Sequence, residues 1–252
     1  MASHAHAHAP TSGSMLVLLP AALYVASVAG WAFLELYAQS GFEHGERRYD
    51  WSIESLSDLG VDYRQVHPLK HYNVTSHRFA AQNYNFFQAG AIFAVAQLVL
   101  LYASRTRATQ HTATLRTFRF LLTLLFAAGM LLLGCIHGGP REKFWKIIGW
   151  HWTGLALVSI AGNLNSILSA LVATHLGRHE SPTAFRALSL GLGMSGLYSF
   201  YRFLALPEWD WKTPVGLWQR GSIYPVLAWE LLSAISIIVS TSRGGSSKPK
   251  RA

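Results

Sequence analysis

The run FAAQNYNFFQAGAIFAVAQLVLLYA, residues 79–103, carries no charged side chain, and its reading decides the fold. At 1.5 Å of rise per residue, roughly 20 apolar residues cross the hydrocarbon core of a bilayer, so this run is long enough to span it as one helix. Five further blocks of the same kind lie at Met15–Ala38, Phe118–Ile136, Ile147–Ala173, Ala187–Leu206 and Ser222–Ser240. Across the chain, 51% of residues are apolar and only 13% charged, against roughly a quarter charged in soluble domains. The pattern predicts an all-α, polytopic membrane bundle of about six transmembrane helices.

The net charge of +9 does not point to nucleic acid, because the Lys and Arg residues lie between and beyond the apolar blocks rather than along one soluble face. They read as topology signals. Arg105, Arg107, Arg116 and Arg119 follow the second block, and Arg243, Lys248, Lys250 and Arg251 follow the last. Arg178 and Arg186 against Glu180 fall on the same side, and the positive-inside rule gives both termini inside.

Residues 1–14, with His4, His6 and His8 alternating with alanine, read as a flexible tail or tag, residues 15–241 as the membrane domain, and residues 242–252 as a basic inner tail. The first block follows no basic leader region and is too long for a signal-peptide core, so it reads as a membrane helix. Cys135 is the sole cysteine, which excludes an internal disulfide framework and suits a packing role.

The long outer segment Gln39–Arg78 is expected to be ordered as a short amphipathic helix or a lid, since Trp51, Ile53, Leu56, Leu59 and Val61 punctuate its charges. It carries the sequon Asn73-Val74-Thr75. Trp209, Trp211 and Trp218 suit the lipid headgroup zone or the cap of a pocket. Gly191, Ser195 and Ser199 in the fifth block, and Gly162, Ser166 and Ala170 in the fourth, recur at four-residue spacing and predict close packing of those two helices.

Polar residues inside apolar blocks are costly unless paired or wetted, so they mark candidate sites. Gln82, Asn85 and Gln88 form a stripe, with Asn83 nearby; His151 and Asn165 share a face, as do Tyr198 and Arg202; Glu35 lies late in the first block and Glu230 in the last. Threaded through the expected topology, Glu35, Asn83, Asn85, His137, His151, Arg202 and Arg220 fall in the outer half and define an expected polar pocket roofed by Gln39–Arg78. Asp58 reads equally as the cap of a short helix.

Ser57-Asp58-Leu59-Gly60, Asn85 followed by Gly90, His151 followed by Gly162-Asn163, and Arg220 leading into Ile223-Tyr224-Pro225 and Trp229 occur in that order across residues 50–232. In this the chain resembles the multi-span membrane proteins of the domain of unknown function 998 family. The resemblance implies the six-helix fold and marks Asp58, Asn85, His151, Asn163 and Arg220, while assigning no chemistry.

Several functions stay open. The pocket fits a lipid or small amphiphile, with membrane lipids as the expected partners. It also fits an intramembrane enzyme acting on a lipid, with His137, His151 or Asp58 in catalysis and Arg202 or Arg220 holding an anion. Tyr198, Asn83, Asn85 and Glu35 would line either. No Gly-x-Ser-x-Gly elbow, His-Glu-x-x-His helix or carboxylate-rich metal motif occurs. Proton-coupled transport is a further reading, with Glu230 as the proton or buried-charge site; against it, no internal repeat is visible and Pro225 is expected near a helix end. Haem ligation by His137 and His151 remains, and the residues name no cofactor.

Overall fold

The computed structural model describes residues 12–44, 49–66, 73–103, 110–171, 183–206 and 213–244. Within them the chain forms helices α1 (Ser12–Gln39), α2 (Phe79–Ala103), α3 (Gln110–Cys135), a short α4 (Pro140–Phe144), α5 (Ile148–Leu171), α6 (Thr183–Leu204) and α7 (Val215–Gly244). The six long helices close into a ring in the order α1, α2, α3, α5, α6, α7, with α7 returning to α1 and touching α5 across the middle. Helices satisfy their own backbone groups, which is what a chain surrounded by lipid requires.

Five of these helices, all but α6, are long and apolar enough to cross a membrane. The fold is that of a multi-pass membrane protein. Helix α6 is diluted by Gly191, Gly193, Ser195, Gly196, Tyr198 and Ser199, yet lies in the same ring between α5 and α7. The distribution of side chains is inverted relative to a soluble bundle. Phe33, Leu36, Leu131, Leu171, Met194 and Ile235 face outward, while Gln82, Gln97, Arg119, Asn165, Ser169 and Glu230 are buried.

The bundle interior is centred on Trp229, which packs edge-on to Tyr24 at 5.9 Å and lies 6.2 Å from Phe93, itself 4.3 Å from Phe126. The indole N–H of Trp229 donates to Ser169 Oγ at 2.8 Å, so the buried donor is satisfied across α5 and α7.

The structure changes several expectations. Of the two forms expected for the outer segment, the amphipathic helix is absent among its described residues. It forms a three-stranded antiparallel sheet of β1 (Phe42–His44), β3 (Asn73–Ser76) and β2 (Gln65–Val66), with β3 in the centre, plus a 3-10 turn at Asp58–Gly60. Leu59, Val74, Phe42 and Ala38 make a small core under it, while Leu56 enters the main core. Strands win here because Val74 opposite His44 and Gln65 lets one short strand pair on both edges.

Helix α3 begins at Gln110 rather than Phe118, so Arg116 and Arg119 belong to a helix and not to a connection. Helix α7 begins at Val215 rather than Ser222, so Arg220 is helical and Pro225 lies inside the helix rather than near its end. Helices α5 and α6 meet through Gly193 and Gly196, where a Cβ would overlap Asn163 or Ile167, whereas Gly191 has open space beside it and Ser195 is exposed. Gly162 instead accommodates Val226 and Phe126. Cys135 is free and exposed rather than packed.

Residues 1–11 and 245–252, together with Arg105, Arg107, His175, Arg178, Glu180, Glu208, Trp209, Asp210 and Trp211, lie outside the described residues.

Candidate functional site

The polar residues at the sheet end of the bundle gather into two centres rather than one. The first is built on Arg220. Helix α7 opens with N–H groups that lack helical acceptors, and the chain at Ser52–Ile53 supplies them: Leu217 N–H donates to Ser52 O at 2.8 Å and Gly216 N–H to Ile53 O at 3.3 Å. Gly216 permits this approach, since a Cβ there would overlap the carbonyls of Trp51 and Glu54.

One turn further on, Arg220 Nη1 donates to those same two carbonyls at 2.7 and 2.8 Å, Nη2 donates to the Tyr49 hydroxyl, and Nε donates to Glu35 Oε1 at 3.1 Å. Glu35 also accepts from Trp31 Nε1 at 2.9 Å, Gln39 Nε2 at 3.0 Å and the Tyr224 hydroxyl at 2.7 Å. Burial pushes the Tyr49 hydroxyl above its ordinary range despite the neighbouring guanidinium. The guanidinium fork is filled by protein acceptors, so Arg220 acts as a staple joining α1, α7 and the outer segment.

The second centre lies where α3, α4 and α5 meet the outer segment. His137 Nδ1 sits 3.6 Å from both Asp62 Oδ1 and Glu142 Oε1, and its Nε2 accepts from Asn83 Nδ2 at 3.2 Å. Asn83 also donates to Gly60 O at 3.0 Å, tying α2 to the 3-10 turn. Tyr63 donates to Glu142 Oε2 at 2.7 Å and accepts from the Arg141 N–H at 3.0 Å. Burial, then the bond to Glu142, raises the Tyr63 hydroxyl above its ordinary range.

His151 is buried at the head of α5, and its Nδ1–H donates to Ile136 O at 2.6 Å. That bond fixes the tautomer and leaves Nε2 as an acceptor. Nε2 and the Ser57 hydroxyl both face Gly138, lying 3.0 and 3.2 Å from where a Cβ would stand. The missing side chain at Gly138 therefore leaves a small gap bounded by an imidazole nitrogen and a hydroxyl. Ser57 in turn contacts Ser55 Oγ at 2.9 Å, and Asp58 Oδ2 accepts from the Ser55 N–H at 3.0 Å, so Asp58 organises the turn beneath.

Beside this centre, Phe144, Trp145 and Trp150 are 83%, 57% and 58% exposed, flanked by Arg141, Lys143 and Lys146. Aromatic rings next to cationic side chains at the end of a span match a membrane–water boundary.

Other expected site residues are placed differently. Asn85 Nδ2 donates to Trp31 O at 3.2 Å and joins α2 to α1 behind the Arg220 centre. Arg202 and Tyr198 are exposed: Arg202 Nη1 donates to the Tyr198 hydroxyl at 3.1 Å and its guanidinium lies 4.7 Å from the Trp218 ring centroid, so its contacts among the described residues are with these two side chains and not with the polar groups of either centre. Asn163 donates to Ser159 O and Ser222 O, bridging α5 to α7, and Asn165 donates to Thr123 Oγ1 at 3.1 Å, bridging α5 to α3. Glu230 sits at the middle of α7, fully buried.

Sequence reasoning missed Asp62, Glu142, Tyr63, Ser57 as a facing hydroxyl, and the acceptor role of Tyr49. Glu142, an acid flanked by Arg141 and Lys143 in a short turn, was the signal for this centre. Among the described residues, no group of three or more His, Cys, Asp or Glu side chains is arranged to hold a metal ion. Comparison with protein-family models, curated proteins and solved structures finds no match to this chain.

Proposed function

We propose that the protein binds the polar head of a lipid or small amphiphile at the His137 centre, with the apolar part of the ligand lying along the exposed aromatic shelf. The observation that carries this reading is adjacency. A partly buried set of hydrogen-bonding and titratable groups, His137, Asn83 and Tyr63 around the buried Glu142, sits beside Phe144, Trp145 and Trp150 at the end of the spans. Membership of the domain of unknown function 998 family belongs to the same proposal, supported by the order of its short motifs.

The test is thermal stability of the purified protein against a panel of lipids. Ligand at a hundred times its Kd stabilises the folded form by about 2.7 kcal/mol. For a chain of this size, that corresponds to a rise in Tm of roughly 5–10 °C. At least one amphiphile is expected to produce this rise in the wild type and not in His137→Ala. Equal shifts in both proteins would remove the His137 centre from the binding site.

One observation favours a second reading, an intramembrane acyl-transfer or hydrolytic enzyme. His151 Nε2 is held as an acceptor, and it and the Ser57 hydroxyl border the same gap at Gly138, which places a base and a hydroxyl nucleophile around one small space. A fluorophosphonate probe would then label the wild type and leave Ser57→Ala and His151→Gln unlabelled; absence of labelling in the wild type eliminates this nucleophile.

A further inference from the structure

Toward the opposite end of the bundle runs a second buried polar system, separate from the amphiphile centre. Arg119 of α3 is 6% exposed. Its described partners are amides: Nη2 donates to Gln97 Oε1 on α2 at 3.0 Å, and Nε donates to Asn165 Oδ1 on α5 at 2.9 Å. Gln97 Nε2 then donates to the Tyr24 hydroxyl of α1 at 2.6 Å. Tyr24 is close enough to both Arg119 and Glu230 to interact electrostatically with each.

Glu230 is 0% exposed, and its carboxyl oxygens make no well-formed hydrogen bond with the described residues. The Ser27 hydroxyl faces the carboxyl from α1 as its candidate donor, and the Ser233 hydroxyl, one turn along α7, is buried without a partner among the described residues. A carboxyl at the depth of the hydrocarbon core thus has at most one weak donor, Ser27, among the described residues. That is costly for a carboxylate and far less so for a neutral carboxylic acid.

We propose that Glu230, with Ser27 and Ser233, forms a proton-binding site at the centre of the membrane domain, coupled through Tyr24 and Gln97 to Arg119. The ligand is a proton rather than a metal cation because the fixed guanidinium beyond Tyr24 repels a second cation, whereas a bound proton leaves the acid neutral. Tyr24 on α1 and Arg119 on α3 are the titratable groups that face the site from the packed elements.

Loss of the proton creates a buried negative charge that attracts Arg119. Because Arg119 is held by Gln97 and Asn165, that attraction acts on α2, α3 and α5 as well as α1 and α7. Pro225, a little more than one turn before Glu230, removes a backbone N–H from α7 and gives the helix a place to bend. The arrangement is what proton-coupled movement of helices needs.

Infrared spectroscopy of the protein in lipid tests this directly. The wild type is expected to show a protonated carboxylic acid band at neutral pH that exchanges in D2O, titrates reversibly at higher pH and is missing in Glu230→Gln. Removing the cation reached through Tyr24 in Arg119→Gln is expected to move the titration to higher pH. Tyr24→Phe keeps the ring and removes only the hydroxyl, and is expected to shift the band frequency, which assigns the band should Glu230→Gln not fold. No acid band in the wild type at neutral pH, or a band that neither exchanges nor titrates, overturns the proposal.

Discussion

Replacing Arg220 by methionine separates a structural staple from an anion-binding site. The substitution keeps the apolar stem but removes the donors to Trp51 O, Glu54 O and Tyr49, together with the ion pair to Glu35 at 3.1 Å. Both charges are nearly fully buried, and breaking such a pair on one side costs about 3–5 kcal/mol because the remaining charge is stranded. Glu35 keeps Trp31, Gln39 and Tyr224 as donors, which holds the loss near the lower end of that range. For a chain of this size, that is a fall in Tm of roughly 6–12 °C.

Unfolding in mixed micelles, followed by circular dichroism, measures the effect. Glu35→Gln combined with Arg220→Met is expected to lose less than the sum of the two single changes, by about 1–3 kcal/mol, since neither charge is then stranded. Arg220→Lys should fall between wild type and methionine, because an ammonium keeps the charge and cannot span both carbonyls and Glu35. A stability for Arg220→Met within about 0.5 kcal/mol of wild type, the range of an ordinary surface change, would refute the staple.

Gly196→Ala places a methyl group against the Asn163 carboxamide and is expected to cost about 1–3 kcal/mol by overpacking. Gly191→Ala, facing open space on the same helix, should stay within about 0.5 kcal/mol of wild type in the same unfolding assay. Asn163→Ala removes the bridge from α5 to Ser222 O and should cost roughly 0.6–2 kcal/mol, the range for interhelical hydrogen bonds in lipid; a neutral result would show that α5 and α7 are held by shape alone.

The helices were legible because charge is nearly absent from long blocks such as residues 79–103, and lipid leaves such blocks few alternatives to a helix. Their ends were not. Arg116, Arg119 and Arg220 read as connection residues by charge, yet α3 and α7 extend past the apolar blocks and bury Arg119 and Arg220 against partners far away in sequence. The pairing of Glu35 with Arg220 across the whole chain has no local signal, whereas the isolated Glu230 could be singled out because a mid-span carboxylate is conspicuous.

The helix faces were harder. Gly191-Ser195-Ser199 and the alternative set with Gly193 and Gly196 both offer small residues at helical spacing, and only the position of Asn163 selects between them. The three strands of the outer segment are too short for a period-two pattern to show. His137 and His151 were marked by chemistry, and the structure brings them to neighbouring positions with Glu142; Arg202 was grouped with them by depth alone and is exposed, in contact with Tyr198 and Trp218 instead.

The most direct measurement of the central claim is native mass spectrometry of the gently purified protein, with extraction and identification of whatever is retained. The account predicts an amphiphile on the wild type that is lost in His137→Ala and kept in Arg202→Ala, whose guanidinium is engaged by Tyr198 and Trp218. Retention that follows Arg202 and ignores His137, or no retained or exchangeable amphiphile in any variant, would contradict it.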